Sequence, residues 1–177
     1  MSSLKQAIET LDSHVPAPQM GLGDEVFRMV SRLTPMVNVD LLIKNENHEV
    51  LLTWRDDELF GPGWHVPGGV LRYKETFEAR IHAVAHLELN AKVKAEKAPC
   101  RITPIICSTR ETRGHFISLL FNCELLSPLD VSRKFTPDNP IKDQWGWHRV
   151  LPENLIEVHK EIYSDIFSSE AACASSG

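Results

Sequence analysis

The chain has 177 residues, of which 42% are hydrophobic and 24% are charged, and this balance is typical of one globular domain with a substantial core. The net charge is −5 and no run of Lys and Arg exceeds two residues, so we expect no broad nucleic-acid surface, which needs clustered basic side chains. No apolar run approaches the roughly 20 residues of a membrane span, so we expect no membrane insertion.

The four cysteines and the N-terminus indicate a reduced, cytoplasmic protein. Cys100, Cys107, Cys123 and Cys173 form no C-x-x-C pair, so the spacing typical of a zinc site is absent. The first residues, MSSLKQAIETLDSHV, have no apolar segment of the kind that a secretory signal needs.

The spacing of apolar residues predicts helices and strands in a mixed order, interrupted by Gly- and Pro-rich loops. In chain order we expect a short helix at 4–11, a helix at 24–33, strands at 35–45 and 49–55, a loop at 56–69 with an extended piece at 64–66, an extended segment at 70–73, a helix at 75–89, strands at 101–109 and 115–125, a loop at 127–140, a strand at 144–150, and a helix at 152–167 that opens on a proline.

Two pairs of neighbouring strands are predicted to form hairpins, one at 35–55 and one at 101–125. Strands and helices follow one another without a regular βαβ alternation. This pattern favours an α+β fold in which a mixed β-sheet is sandwiched between α-helices.

The helix at 75–89 carries one carboxylate in an unexpected place. Phe77, Ile81, Val84 and Ala85 form an apolar stripe at helical spacing, and Glu88 falls inside it. A desolvated carboxylate needs a partner. That partner can be a divalent cation, whereas the alternative is an ordinary acid at a helix end that reaches solvent or pairs with an arginine.

Two histidines in this helix have the spacing of a zinc site but lie on its other face. His82 and His86 are four residues apart, yet they stand opposite the apolar stripe. We therefore interpret them as solvated surface residues.

The segment VPGG before the helix is suited to close contact with a ligand. Paired glycines let the backbone approach a ligand and expose its carbonyl and amide groups. Mg²⁺ accepts a backbone carbonyl and one carboxylate, with water and substrate phosphate filling its remaining positions.

The stretch GGVLRYKETFEARIHAVAHLELNA resembles the Nudix box, G-x5-E-x7-R-E-U-x-E-E-x-G-U. Gly69 and Glu75 match its first half. In the second half only the last box Glu is kept, as Glu88; the other defined positions fall on Ala83, Val84, Leu87 and Asn90. The resemblance is to the Nudix hydrolases, and within them to GDP-mannose mannosyl hydrolases, which also keep only that last Glu. GWHVPGG, HFISLLF and QWGWHRVLPENL resemble other segments of that branch.

The resemblance implies a Nudix domain at 21–168, a helical extension at 1–20 and a flexible tail at 169–177. It implies one Mg²⁺, with Mn²⁺ as an alternative, held by Glu88 and the Gly68 carbonyl. It implies that Arg55 and Arg72 bind the diphosphate, while Gly69 and Glu75 are structural parts of the box. For Glu75 we expect either a helix cap or a pair with Arg72 or Arg80.

In the branch that this chain resembles, a loop histidine acts as the base, but the matching positions here are Ile141 and Lys142. His115 is our first candidate for that role. His65, Asp143 and His148 are the alternatives.

The function that the resemblance implies is hydrolysis of a nucleoside diphosphate sugar such as GDP-mannose, with water attacking the anomeric carbon. One alternative is cleavage of a pyrophosphate bond in another nucleoside diphosphate derivative, and another is a binding or regulatory module without catalysis. The resemblance also implies a homodimer formed through the N-terminal extension, whose apolar residues have no evident core partner.

Overall fold

A computed structural model describes residues 3–57 and 61–167, and over these residues it contains four α-helices and eight β-strands. The helices are α1 (Leu4–His14), α2 (Asp24–Leu33), α3 (Phe77–Leu89) and α4 (Glu157–Tyr163). The strands are β1 (Met36–Ile43), β2 (Val50–Arg55), β3 (Gly63–His65), β4 (Gly68–Val70), β5 (Val93–Ala95), β6 (Arg101–Ile106), β7 (His115–Leu125) and β8 (Trp145–His148). The predicted tail at 169–177 lies outside the described residues.

The strands form two sheets. The larger one has the order β4-β1-β7-β5, and β6 also pairs with β7; β1 and β7 run parallel while the other pairs are antiparallel. The smaller sheet has the order β3-β2-β8 and is antiparallel throughout. The predicted α+β class with a mixed sheet is confirmed.

Helices cover both faces of the strands, and the core therefore has two parts. On one side α3 buries Ile81, Val84, Ala85 and Leu89 against residues of both sheets. On the other side Tyr163 of α4 and Ile166 just after it pack against Leu42, Leu52 and Leu120. Phe77, which we predicted to belong to the α3 stripe, is 41% exposed, and its ring lies 5.6 Å from that of the buried Phe121.

The predicted hairpin of β1 and β2 is wrong, because the two strands belong to different sheets. A turn at Asn45 does reverse the chain, since its side-chain oxygen accepts the N–H groups of Asn47 and Glu49. After this turn, the two segments pair only at one isolated antiparallel bridge, between Lys44 and Val50. Beyond it, β4 and β7 occupy both edges of β1, and β3 and β8 occupy both edges of β2. The second predicted hairpin, β6 with β7, is confirmed.

The last helix begins five residues later than its proline predicts. Residues 152–155 form a turn in which the N–H of Leu155 donates to the carbonyl of Pro152. The backbone of 154–156 then pairs with Trp64, whose N–H donates to Asn154 and whose carbonyl accepts from Ile156. These residues extend the edge of β3, and their backbone groups are therefore not available for a helix.

The N-terminal helix α1 has no buried residue, and Leu4 and Ile8 are 78% and 50% exposed. Its start is stabilised by Ser3 and Gln6, whose side chains accept each other's backbone N–H. The predicted self-association through this end stays a prediction. Within the part of the chain that the structure describes, no helix is long and apolar enough to cross a membrane.

A buried ion pair fastens the glycine segment to α3. Both carboxylate oxygens of Glu75 accept hydrogen bonds from the Arg80 guanidinium, at 2.8 and 2.9 Å, and one of them also accepts the N–H of Arg72. Arg80 is 4% exposed. Of the partners predicted for Glu75, Arg80 is therefore the one observed, while Thr76 rather than Glu75 caps the helix.

We expect Glu75→Ala to lower the free energy of unfolding by roughly 3–5 kcal/mol, because it leaves the Arg80 guanidinium buried without its carboxylate. Glu78→Ala is the matched control, since Glu78 is an exposed acid in the first turn of the same helix and its loss should cost less than about 1 kcal/mol. Urea denaturation of the two variants measures the difference. Equal losses would show that the pair does not brace the loop.

Candidate functional site

The carboxylate of Glu88 lies where α3 meets both sheets. Its Oε1 accepts the backbone N–H of Gly68 at 3.2 Å, at the start of β4 in the larger sheet. Its Oε2 accepts the hydroxyl of Thr53 at 2.8 Å, on β2 of the smaller sheet. The Nε2 atom of His65 lies 3.5 Å from the same oxygen and 2.9 Å from the Thr53 hydroxyl. One side chain therefore links three separate elements.

Burial changes the protonation of this group and of its neighbour. Burial raises the pKa of Glu88 from 4.5 to about 7, against the hydrogen bonds of Thr53 and Gly68, and the charge of Asp143 raises it further. Burial also holds the pKa of His65 well below its usual value, so its ring stays neutral. The contact between the two side chains is accordingly a polar contact between a carboxyl group and a neutral imidazole.

Neither of the ordinary interpretations of Glu88 applies. Its side chain is only 15% exposed, so it does not extend into solvent. Over residues 3–57 and 61–167, no lysine or arginine forms an ion pair with it. A buried carboxylate with no cationic side chain beside it is the kind of group that a metal ion neutralises.

The backbone groups of Gly68 that do not pair with β1 lie on the edge of β4 that faces Glu88. Along the pairing of β4 with β1, the N–H of Leu41 donates to Pro67 and that of Leu71 to Val37. Because the groups that bind β1 alternate along the strand, the N–H and C=O of Gly68 point away from β1. Gly68 also needs to be glycine, since a Cβ at this position would overlap Oδ1 of the buried Asp40.

The carboxylate of Glu88 and the carbonyl of Gly68 form a donor set that fits one hard cation. Mg²⁺ takes oxygen ligands and keeps several waters, so two protein oxygens suffice. Among the residues that the structure describes, no group of three or more His, Cys, Asp or Glu side chains could hold a metal. The residues present therefore fit a single Mg²⁺, whose remaining positions water and a phosphate ligand would fill.

A cavity of about 740 Å³ opens beside the glycine segment. Gly68 and Gly69 line it together with Arg55, whose predicted role in binding the diphosphate stays a prediction. The Nε of Arg55 donates to Asp57 at 2.5 Å. Residues not predicted from the sequence, among them Arg110 and Arg113 of the β6–β7 loop, complete this wall.

Arg72 does not line this cavity. Its guanidinium lies against Gly21 instead, where an added Cβ would stand 3.6 Å from Nε, and its backbone N–H donates to Glu75. The two arginines that we predicted to act together are therefore placed differently, with only Arg55 at the cavity.

His115, the predicted base, lies far from Glu88. Gly68 stands opposite Asp40 on β1, and Asp40 stands opposite Leu120 on β7, five residues after His115. With a rise of about 3.3 Å per residue and a strand spacing of about 4.8 Å, the Cα atoms of His115 and Gly68 are roughly 15–20 Å apart. The structure does not bring this histidine to the glycine segment.

Of the alternative bases, His65 contacts Glu88 directly, and Asp143 acts on it through its charge. The N–H of Asp143 donates to the carbonyl of Trp54 at 2.9 Å in a left-handed turn with φ 65°. Its carboxylate has no hydrogen bond or ion pair among the described residues. His148 packs on the ring of Trp64 instead, with 4.3 Å between ring centroids. His82 and His86 are exposed, as predicted.

Of the three residues that contact the Glu88 carboxylate, namely Thr53, His65 and Gly68, only Thr53 was not predicted from the sequence. A signal was present, because Thr53 and Arg55 are two residues apart on one strand and therefore share a face. The strand alternation could have placed Thr53 beside the predicted arginine. It could not have shown that α3 brings Glu88 to the same face.

Comparisons with known proteins show the fold. No family model matches the chain. The chain is 34% identical over 79 residues to the Low-salt glycan biosynthesis protein Agl8 of Haloferax volcanii, a match that covers 45% of this chain and spans half the length of that relative. One similar structure is a Nudix hydrolase from Nitrosomonas europaea, with a TM-score of 0.52 and 18% identity over 65% of this chain and 72% of that one. Another is a MutT protein from Methanosarcina mazei Go1, with a TM-score of 0.55 and 17% identity over 76% of this chain and 91% of that one. The architecture is the Nudix fold.

We expect Glu88→Gln to stabilise the protein more at pH 8 than at pH 5. Because the pKa of about 7 in the folded state lies above the usual 4.5, the folded state binds this proton more tightly than the unfolded chain does. Stability is therefore lost as the pH rises from about 4.5 to 7, by up to about 3 kcal/mol, and glutamine removes this loss.

Urea denaturation of both proteins, without divalent metal, at pH 5 and pH 8 measures the effect. Asp40, whose pKa burial raises to about 6, titrates in both proteins and cancels in the difference. The same difference in stability at both pH values would contradict the raised pKa of Glu88.

Proposed function

We propose that this protein is a Mg²⁺-dependent hydrolase of a nucleoside diphosphate sugar, with a GDP-mannose-like compound as the substrate. The observation that carries the proposal is the buried Glu88 carboxylate, which forms no ion pair with a lysine or arginine among the described residues and accepts a hydrogen bond from the Gly68 backbone beside a cavity. This is the donor set that a single Mg²⁺ bound to a diphosphate requires.

Two further observations support a substrate of this class. The cavity of about 740 Å³ lies within the usual range for ligand pockets, roughly 300–1,000 Å³. The partial relative from Haloferax volcanii is named for glycan biosynthesis, and nucleotide sugars are the activated form in which sugars enter glycans. Neither observation depends on the metal site.

In the proposed reaction water attacks the anomeric carbon of the sugar. A bond forms between the water oxygen and that carbon, and the bond from the carbon to the diphosphate oxygen breaks. Glu88 and the Gly68 carbonyl would hold Mg²⁺, which when bound would supply the positive charge that stabilises the leaving diphosphate. The guanidinium of Arg55, at the cavity wall, donates to the same phosphate oxygens, and charge-assisted bonds of this kind are among the strongest available.

We propose Asp143 as the group that takes the proton from the attacking water. Its negative charge raises the pKa of Glu88, and its carboxylate has no competing hydrogen bond among the described residues. His65 is close as well, but a ring whose pKa lies far below neutrality holds a proton poorly, so it is better suited to orient Thr53 and Glu88. His115 remains the candidate to test against Asp143.

Two other functions stay open as alternatives, each with a feature that favours it. Cleavage of a P–O bond is the chemistry expected for a pyrophosphate hydrolase of this fold. A binding module without catalysis would account for the loss of all but one box glutamate from α3. The products of the reaction, or their absence, distinguish these alternatives.

We expect sugar release from GDP-mannose, with GDP as the nucleotide product, when the protein is incubated with 5 mM Mg²⁺ at pH 8. Phosphorus-31 NMR identifies the nucleotide, and water labelled with oxygen-18 identifies the bond: label in the sugar indicates C–O cleavage, and label in phosphate indicates P–O cleavage. GDP-glucose and UDP-sugars in parallel reactions test the sugar and the base.

For the same assay we expect Glu88→Gln to lower kcat/KM by at least about 100-fold, because it removes the only carboxylate of the metal donor set. Glu78→Gln, an exposed acid on the same helix, should retain full activity. Equal activity of the two variants would exclude the proposed role of Glu88, and nucleotide-sugar binding without turnover in the wild type would favour the binding module.

We expect Asp143→Asn to lower kcat by roughly 10²–10⁴-fold with a small change in KM, because general-base catalysis contributes about that much and the base acts on water. His115→Ala should change kcat by less than about threefold, since the side chain starts some 15–20 Å from the Gly68 edge. Steady-state kinetics of the two variants decides between them. A large loss for His115→Ala alone would restore the histidine as the base.

A further inference from the structure

Helix α4 brings one buried histidine to the cavity. His159 lines this cavity, although the residue is only 8% exposed. Its Nδ1 atom accepts the backbone N–H of Val66 at 3.0 Å, two residues before Gly68. The backbone positions of Val66 and Gly68 are no more than about 7 Å apart, because two residues of extended chain reach no further. His159 therefore lies beside the glycine segment.

The contact with Val66 fixes the tautomer of the His159 ring. A ring nitrogen that accepts an N–H carries no proton, so Nδ1 is unprotonated and the proton of the neutral ring lies on Nε2. Burial, together with the charge of Arg55, lowers the pKa of His159 from 6.5 to about 3, which also keeps the ring neutral. Nε2 is therefore an uncharged hydrogen-bond donor.

This donor has no acceptor within the described part of the chain. The ring meets that of Tyr163 edge-on, with 5.2 Å between centroids, and lies 6.0 Å from the ring of His65. Over residues 3–57 and 61–167, the Val66 N–H is the hydrogen-bond partner of the His159 side chain, and it occupies Nδ1. A buried N–H donor at a cavity needs an acceptor, which a bound ligand can supply.

Two carboxylates of α4 indicate what kind of ligand suits this donor. Glu157 and Glu161, on either side of His159 in the sequence, also line the cavity. Glu157 pairs with Lys160 at 3.7 Å, whereas Glu161 forms no ion pair among the described residues. Carboxylates repel phosphate and accept hydrogen bonds from hydroxyl groups. A neutral donor with carboxylate acceptors nearby therefore suits the hydroxyl groups of a sugar, which both accept and donate without charge.

We propose that Glu157, His159 and Glu161 form a sugar-binding wall of the cavity, in which the Nε2–H of His159 donates to a hydroxyl oxygen and Glu161 accepts a hydroxyl hydrogen. This proposal deepens the proposed function and rests on it for the identity of the ligand. A sugar held by His159 lies next to a diphosphate held at the Gly68 edge, since Val66 connects the two places along the chain. The wall recognises the hydroxyl groups of the sugar, and it contributes nothing to the affinity for the nucleotide.

Two substitutions of His159 separate its donor from its contact with Val66. The side-chain oxygen of asparagine reaches the position of Nδ1, so His159→Asn keeps an acceptor for the Val66 N–H and removes the donor. The amide of glutamine reaches the position of Nε2, so His159→Gln keeps a donor there and loses the acceptor. The melting temperatures of the two variants report the contact with Val66, and their ligand affinities report the donor.

Calorimetry with GDP-mannose and with GDP, without divalent metal, tests the wall. We expect His159→Asn to bind GDP-mannose about 3- to 10-fold more weakly than the wild type and GDP within about twofold, because one neutral hydrogen bond to the sugar is lost. His159→Gln should bind GDP-mannose more tightly than His159→Asn does. An equal loss of affinity for GDP-mannose and GDP would overturn the proposal, because it would show that His159 acts on the nucleotide or on the fold alone.

Glu161 has a matched control in Glu153, an exposed acid that does not line the cavity. We expect Glu161→Gln to weaken the binding of GDP-mannose by about 3- to 30-fold, since a hydrogen bond to a charged acceptor is lost. Glu153→Gln removes the same charge and should bind GDP-mannose within about twofold of the wild type at 150 mM salt. Equal effects of the two variants would report net charge and would overturn the role of Glu161.

Nitrogen-15 NMR of the histidine rings tests the donor without any ligand or activity. For His159 at pH 7 we expect a protonated Nε2 and an unprotonated Nδ1, and this pattern should be absent from the spectrum of His159→Asn. The opposite tautomer would overturn the proposal, because Nε2 would then have no proton to donate.

The wall and the proposed hydrolase fail separately. Affinity for GDP-mannose that depends on His159, with no sugar release in the presence of Mg²⁺, would keep the wall and reject the hydrolase. Sugar release with the same KM for GDP-mannose in His159→Asn and the wild type would keep the hydrolase and reject the wall. No binding of GDP-mannose to the wild type, with or without Mg²⁺, would reject both.

Discussion

The hydrogen bond from the Gly68 N–H to Glu88 is the interaction on which the candidate site depends. It joins α3 to the edge of the larger sheet, and the second oxygen of the same carboxylate joins α3 to Thr53 in the smaller sheet. Among the described residues, one isolated bridge, between Lys44 and Val50, joins the two sheets, so a side chain that contacts both of them helps to fix their relative position at this edge. The geometry of the proposed metal donors follows from that position.

The same contact has a cost in stability. A buried carboxylate without a bound cation destabilises the folded state above its pKa, and the hydrogen bonds of Thr53 and Gly68, together with the charge of Arg55, offset this effect only in part. The neighbouring Asp40 is also buried, but Ser118 and Tyr163 both donate to its Oδ2 and Asn38 donates to its Oδ1. Asp40 is well supplied with hydrogen bonds, whereas Glu88 retains capacity for a further ligand. This difference supports the proposal that Glu88, and not Asp40, is the metal ligand.

Two parts of the chain that line the cavity are held in place by contacts with other elements. The Gly68 edge is braced by the buried pair of Glu75 and Arg80, so its backbone is fixed before any ligand arrives. The loop between β6 and β7 is held by Ser31 and Phe27 of α2, which both contact Arg113. Helix α2 therefore supports one wall of the cavity, although it precedes the first strand.

Apart from strand β5 (Val93–Ala95), which was not predicted, the sequence by itself determined the element types, the mixed order that leads to the α+β fold, and the pairing of a glycine segment with one acid in an apolar stripe. These features are local, because helical and strand spacing and glycine freedom act over a few residues. Only the tertiary structure decided that β1 and β2 enter different sheets, that residues 154–156 extend β3 rather than α4, and that Thr53, Asp143 and Arg113 gather near the glycine segment while Arg72 and His115 do not. Those outcomes depend on which strand edges are already occupied and on contacts between residues far apart in the chain, and no local spacing records either of them.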